Sequence, residues 1–548
     1  MKKIGDLHKL VWLFILFCFA GKYTHAQVEG LNGWELFLDP GHSQQENMGL
    51  YNYSEAEKVL RVAFELRDMF EEQTDIAEVH LSRRDDQEEM SLEARTTLAN
   101  ELGVDFYYSI HSDAGDASEN STLTLYGGWR RQGETVEKSP KGGAEFGDIL
   151  HEDLSGAMRI SDRGNWADRN YYLGADVHHH ENQHPYLYVN RTTNMPSLLS
   201  EGGFHTNPGQ QQKNLNAEWK KLEALSAFRS FLFYHGLEPP ETGIITGIIT
   251  DKETGEPANG VTVTVNDQTY TTDTYSSLFQ EYSDEPDKLR NGFYWIDGLT
   301  PESEVEVSFN SDDFEDKTVR HTIESDPAEP TRKILNPLDV ELVSVVPPVV
   351  ENIYPHSNDE DFSPGEDIEV EFSRQMDRQS VEQAISLTPD EEVSLFWQND
   401  FTLKIRSSHL DYETHYDLII DGKTARNALT GQELDGNGDG NGGDDFEHSF
   451  QTAPEDTDPP ELEVFQPSES EPAKVVRPVI RMVFNEEIDT ASLEKEMVQV
   501  HPVDDTDEEI DGSLQHLFVK DQSVVHFFPG EDFKEDATYE VTIRPGIE

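Results

Sequence analysis

An apolar, β-favouring run that stops at Asp-Pro-Gly and passes straight to a histidine narrows the choice of fold more than anything else in this chain. Residues 34–42 read WELFLDPGH. The run has the length and residue types of a buried strand, and Pro-Gly is a strong chain breaker. His42 is therefore expected on a loop at the carboxyl end of a core strand, where α/β folds place their chemistry. A lone histidine in that place is ordinarily structural, so the rest of the chain must decide its role.

Ser54 opens SEAEKVLRVAFELRDMFEE as a good N-cap, and Glu57 three residues on completes a capping box. Val59, Val62, Ala63, Leu66, Met69 and Phe70 recur at helical spacing and mark the buried stripe. Glu55 falls on that stripe, four residues before Val59; Glu57 is expected on the solvent side with Arg61 and Asp68. A carboxylate on a buried face needs a partner, and capping alone remains an alternative to metal ligation. EVHLSRRD (78–85) predicts a second strand with a basic end, and SLEARTTLANEL (91–102) a capped helix with Leu92, Ala99 and Leu102 inward. DFYYSIHSDA (105–114) predicts a strand that again ends in histidine, His111. His42, Glu55 and His111 supply two imidazoles and a carboxylate, the ligand set of a catalytic zinc that leaves its fourth position to water. MPSLLSEGGFHTN (195–207) predicts a short buried strand ending at Glu201, followed by Gly202 and Gly203, which let backbone come close. Glu201 is the candidate general base, moving a proton from activated water to a leaving nitrogen.

Together these motifs resemble the zinc-dependent N-acetylmuramoyl-L-alanine amidases of the type-3 family. The matching residues are LDPGH at 38–42, SLEAR…AN at 91–100, SIH at 109–111 and EGGF…N at 201–207. The resemblance implies an α/β domain over 27–237, with a twisted, mostly parallel sheet flanked by helices. It implies Zn2+ held by His42, Glu55 and His111, with Glu201 catalytic and peptidoglycan as the partner. The bond cut would be the amide between the muramic acid lactyl group and L-alanine. The family's usual Glu-Lys at the ligand helix points to Glu57-Lys58, but its leucine and alanine, five and eight residues after the ligand, match Leu60 and Ala63 only from Glu55. The loop SQQENMG (43–49) departs from the pattern by lacking a second glycine. Arg95 is expected to pair inside the fold rather than touch substrate. HHHENQH (178–184) contains the H-x-x-E of zinc carboxypeptidases, yet no matching histidine follows before the sequence turns to β-sandwich patterns, so a polar loop near the cleft is expected.

Composition limits the partners. With 109 acidic against 42 basic residues the formal net charge is -67, which repels nucleic acid and anionic membrane surfaces. Lys2 and Lys3 precede LVWLFILFCFA (10–20), and Thr24-His25-Ala26 offers a cleavage site, the layout of a secretory signal peptide over 1–26. The apolar run is short for a span, so a periplasmic, surface or extracellular protein with no span after cleavage is expected. Cleavage would remove Cys18, the one cysteine, and with it any disulfide or thiolate site.

After Leu237, EPPETG reads as a linker. Short alternating strands follow over 243–340 and predict a β-sandwich, similar to the carboxypeptidase regulatory-like domains of secreted bacterial proteins. An internal repeat comes next: Pro347-Pro348 recurs as Pro459-Pro460 and Phe372 as Phe484, both at an offset of 112 residues. The units 347–453 and 458–548 resemble bacterial Ig-like domains. The second stops without the strand that HSFQT (448–452) gives the first, and since an open edge is unfavourable, a longer parent chain is expected. In LDGNGDGNGGDDF (434–446), Asp435, Asn437 and Asp439 match the first half of an EF-hand loop, but Phe446 stands where the bidentate glutamate belongs. A Ca2+ site and a flexible acidic turn both stay open. The function expected is a secreted peptidoglycan amidase, with a cell-wall zinc peptidase and a non-catalytic wall-binding protein as alternatives.

Overall fold

The computed structural model describes residues 27–548 except 45, 86–88, 132, 175–183, 273–289, 327–333, 358, 408–409, 456–457, 469–471, 506–507, 521 and 548. The expected signal sequence and the histidine tract up to residue 183 lie outside the described residues.

Six strands make the first sheet: β1 (Glu35–Pro40), β2 (Glu78–Leu81), β3 (Phe106–Asp113), β4 (Ser121–Tyr126), β7 (Ser161–Ala167) and β8 (Ser197–Phe204). Their order is β2-β1-β3-β8-β4-β7. Every pairing is parallel except β4 against β8, so the expected mostly parallel sheet carries one reversed neighbour. A separate hairpin joins β5 (Gly128–Arg131) to β6 (Glu134–Glu137).

Seven helices flank these strands: α1 (Glu55–Gln73), α2 (Leu92–Leu102), α3 (Gly143–Met158), α4 (Asp168–Leu173), α5 (Tyr188–Thr192), α6 (Pro208–Leu215) and α7 (Trp219–Tyr234). In β1, Leu36 and Leu38 join the core made with α1, α3 and α7, while Phe37 joins a second core with Ala99, Tyr107 and Val189. Burial on both faces is why the strand reads as an unbroken apolar run. Phe146 stacks on Phe231 at 3.8 Å, and Phe70 and Phe106 meet the same ring edge-on, fixing the helices to the sheet. Ser54 caps α1 by accepting the Glu57 amide at 3.1 Å.

Two readings of helix faces are corrected. Glu57 is buried rather than solvent-facing, because α7 covers the first turns of α1 and buries Lys220 and Glu223 beside it. In α2, Leu92 and Leu102 are 51% and 43% exposed, and the inward side is Arg95, Thr96 and Ala99. The ion pair of Arg95 with buried Asp39 turns that stripe inward.

Beyond residue 242 the chain is mostly strands. One sheet gathers β9 (Gly243–Asp251), β12 (Phe293–Leu299), β15 (Leu335–Pro337) and β16 (Val340–Leu342); another gathers β10 (Thr262–Val265), β11 (Gln268–Thr271), β13 (Glu304–Ser311) and β14 (Phe314–Thr322). Ile245, Ile249, Val263, Val307 and Phe309 fill the core between them. The outer face of the first sheet is not free. Ile244, Phe293, Trp295, Ile334 and Leu335 join the apolar core of α7, with Trp219 edge-on to Phe293 at 5.0 Å. Each repeat then opens with a four-stranded antiparallel sheet built around Ile368–Phe372 or Ile480–Phe484. A three-stranded sheet completes the first repeat, and Val498–Pro502 paired with Tyr539–Ile543 stands in that place in the second. Among the described residues no helix is long and apolar enough to cross a membrane.

Candidate active site

The loop leaving β1 is held by its carbonyls. Arg95 donates to Pro40 O at 2.9 Å and His42 O at 2.7 Å, and Arg83 donates to Pro40 O at 3.1 Å and Gly41 O at 2.9 Å. Arg95 also pairs with Asp39 at 2.9 Å, so it supports the loop from inside. Burial would raise the Asp39 carboxyl, but the Arg95 charge and the Tyr107 hydroxyl hold it below the usual carboxylate range. A β-carbon on Gly41 would fall 2.2 Å from His111 Cε1, so glycine is required for β1 to deliver His42 beside β3. His42 itself takes a left-handed conformation, φ 57°, uncommon for a residue with a side chain.

These elements bring three of the predicted residues together. Glu55, 1% exposed, faces His111 Nδ1 at 3.0 Å through Oε1 and His42 Nε2 at 3.4 Å through Oε2. The Ser112 amide donates to Oε1 at 2.8 Å, and the Asn47 side-chain amide donates to Oε2 at 2.7 Å. Burial opposes ionisation, yet the His111 hydrogen bond and charge, His42 and the Ser112 amide bring the carboxyl down to about 2. In return Glu55 raises His111 against its burial, whereas burial dominates at His42 and lowers it. Potential ligand atoms of His42, Glu55 and His111 all lie within 4.8 Å of one another. Two imidazoles and an ionised carboxylate suit a transition-metal ion. The side chains of His42 and His111 are 29% and 17% exposed, which leaves an approach from solvent on the imidazole side. Glu57 stands apart, pairing with Arg61 at 3.9 Å.

Glu201 lies directly across from His111 in the β3–β8 register. Its Oε2 is buried and has no hydrogen-bond partner among the described residues. Burial pushes this carboxyl up to about 8, with His111 pulling it down and Glu55 pushing it further up. Behind it, Lys58 donates to Gly202 O at 3.0 Å and pairs with buried Glu223. A β-carbon on Gly202 would lie 2.4 Å from Glu223 Oε1.

Asn47, Arg83 and the Lys58–Glu223 pair were not legible as site residues. Neither was His205, whose Nδ1 stands 3.8 Å from Glu55 Oε2. In the histidine tract, His184 is described: Arg169 donates to its carbonyl at 2.6 Å, and its ring lies 2.7 Å from the Pro185 carbonyl. In the acidic loop, Asp435, Asp439 and Asp444 approach one another, and the Asp439 amide donates to Asn437 Oδ1 at 2.9 Å. Both oxygens of Asp435 already accept amides, from Gly438 at 2.8 Å and Gly440 at 2.7 Å.

Comparison with known proteins matches residues 36–227 to the family described as N-acetylmuramoyl-L-alanine amidase, and 344–452 and 456–548 to the bacterial Ig-like domain. The N-acetylmuramoyl-L-alanine amidase CwlM of Bacillus licheniformis is 31% identical over 180 residues, 33% of this chain and 60% of the relative. The sporulation-specific N-acetylmuramoyl-L-alanine amidase of Bacillus subtilis is 28% identical over 174 residues, 31% of this chain and 56% of the relative. The chain thus spans 60% or less of the curated relatives it matches. The solved N-acetylmuramoyl-L-alanine amidase of Clostridium difficile 630 is 28% identical, covering 37% of this chain and 97% of its own, with a TM-score of 0.30.

Proposed function

The first domain belongs to the N-acetylmuramoyl-L-alanine amidase family and the last two are bacterial Ig-like domains; on that footing we propose that this protein hydrolyses the amide between N-acetylmuramic acid and L-alanine in peptidoglycan. The observation that carries the reading is the His42–Glu55–His111 cluster beside the unpartnered carboxyl of Glu201. Zinc held by those three residues would supply a Lewis acid for the amide carbonyl and a water acidic enough to deprotonate near neutral pH. Glu201 Oε2 takes that proton and returns it to the leaving nitrogen. Its elevated pKa suits the second step, and a cation held nearby would lower it for the first. Asn47 holds Glu55 Oε2 and lies 3.0 Å from His42 Nε2, keeping the two ligands in register.

The domain limits that go with this reading are 27–237 for the hydrolase, 243–340 for a regulatory-like sandwich, and 347–453 and 458–548 for the Ig-like units. Signal-directed export and action at the cell surface or beyond are supported by the amidase and Ig-like pairing. Calcium on the 434–446 loop is a separate proposal, supported by the approach of Asp435, Asp439 and Asp444; a melting temperature raised by calcium but not by magnesium is its test.

Mass spectrometry of purified peptidoglycan after incubation tests the activity. Chelator-sensitive release of stem peptides beginning at L-alanine is expected, and Glu201→Ala should abolish it. Cuts inside the stem peptide would assign a peptidase instead, and no release by folded, zinc-loaded protein would overturn the hydrolase.

A further inference from the structure

The register of the first sheet sets a row of aromatic side chains beside Glu201. Glu201 lies opposite Leu123 of β4, and Leu125 lies opposite both Leu199 of β8 and Trp166 of β7. Side chains alternate between the two faces of a strand, so Trp166 projects from the same face as Glu201, two strands away. Its ring is 49% exposed, and its indole N–H already donates to Arg163 O at 2.6 Å. The helix α4 follows at once and packs Tyr171 against the Leu123, Leu125 and Leu199 cluster on that face. Tyr171 meets Tyr172 edge-on at 5.3 Å, and Tyr172 stacks on Tyr186 at 4.8 Å. Tyr172 and Tyr186 stay 45% and 41% exposed. The row is tied to the metal side through Arg163, which donates to the Tyr171 hydroxyl at 2.9 Å, pairs with Asp113 two residues past His111, and lies 5.0 Å over the Phe204 ring. Partial burial raises the Tyr172 phenol, and the Glu201 and Asp113 charges raise it further. Single exposed aromatics are ordinary, but several along one side of a reacting group mark a binding surface.

We propose that this aromatic ridge binds the glycan strand of peptidoglycan, with sugar rings stacked on Tyr172 and Trp166 and the lactyl arm reaching towards Glu201. The proposal rests on the amidase reading above. The amide to be cut has a sugar on one side and alanine on the other. The C–H faces of a pyranose match exposed aromatic faces, and its hydroxyls stay in water beside the phenol tips. The alanine methyl has no face to stack. The ridge thus gives the substrate a direction: glycan over β4 and β7, stem peptide over β3 and β1, on either side of the Glu201 strand.

The test is calorimetric titration of the full chain with glycan strands from which the stem peptides have been removed, and separately with free stem peptide. The glycan should bind saturably. Tyr172→Ala should weaken it about tenfold or more, Trp166→Ala should weaken it as well, and Tyr172→Phe, which keeps the ring, should bind like the parent. Binding of free stem peptide should not respond to Tyr172→Ala. Absence of glycan binding overturns the ridge, as does binding that survives unchanged in both folded alanine variants. Stem-peptide affinity that falls with Tyr172→Ala while glycan affinity holds reverses the direction and overturns the assignment. These probes hold no amide between sugar and peptide, so turnover is not needed to read them. Ridge-dependent glycan binding by a chain that cuts nothing would sink the hydrolase and leave the ridge standing; cutting without such binding would sink the ridge alone.

Discussion

Glu55 is a buried acid made tolerable by five partners: two imidazoles of the cluster, the Asn47 and Ser112 amides and, more distantly, His205. Its neighbour Glu57 is equally buried but makes its ion pair with Arg61 rather than with the cluster. The two therefore separate in a zinc titration. Glu55→Gln should lose more than the about 10–100-fold that removal of an outer partner costs. Asn47→Ala should fall inside that range, and Glu57→Gln should leave affinity unchanged. Arg95 makes a different prediction. Arg95→Met would leave Asp39 buried and unpaired, a loss of about 3–5 kcal/mol in urea unfolding. Asp39 titrates below its unfolded value of about 3.9. Its stabilisation is then complete above that value and disappears as pH falls through the lower folded value. The variant should show a flatter acid decline than the parent.

Among the elements, β8 is the one that tolerates least. Its end must carry Glu201 opposite His111 while Gly202 presses on Glu223, which Lys58 pins from α1. Gly202→Ala is expected to cost about 1–3 kcal/mol and to lower kcat as the strand end shifts; unfolding curves and turnover measured on one preparation check both. Much of this arrangement was legible in the sequence. The strand-to-histidine steps at His42 and His111 depend on local chain order, and the helical stripe put Glu55 on the buried side of α1. What the stripe could not register was α7, some 160 residues further along, which closes over Glu57 and Lys58. The same limit hid the inward face of α2: apolar periodicity favoured Leu92 and Leu102, but a buried ion pair from Arg95 to Asp39 decided the orientation. Asn47 had no pattern to betray it, since its left-handed φ of 53° and its reach to Glu55 come from the folded loop.

For the whole molecule, the two kinds of junction differ. The first is apolar and continuous with the core of the first domain, through Trp219, Phe293 and Trp295. The second is polar: Arg374 pairs with Asp251, and Asn427 donates to Glu253 at 2.7 Å. Scanning calorimetry should therefore show residues 27–340 melting in one transition and the repeats melting apart from it. Separate melting of 27–237 and 243–340 would contradict the shared core.

That shared core also sets what evolution can trade. A crossover near residue 346, past β16, would exchange Ig-like units and disturb the polar contacts that Arg374 and Asn427 make with Asp251 and Glu253. A crossover near residue 240 would strip apolar cover from α7 and leave both recombinants with sticky faces. The heritable cassette is thus the first domain together with the sandwich that follows it, and the repeats are the interchangeable cargo.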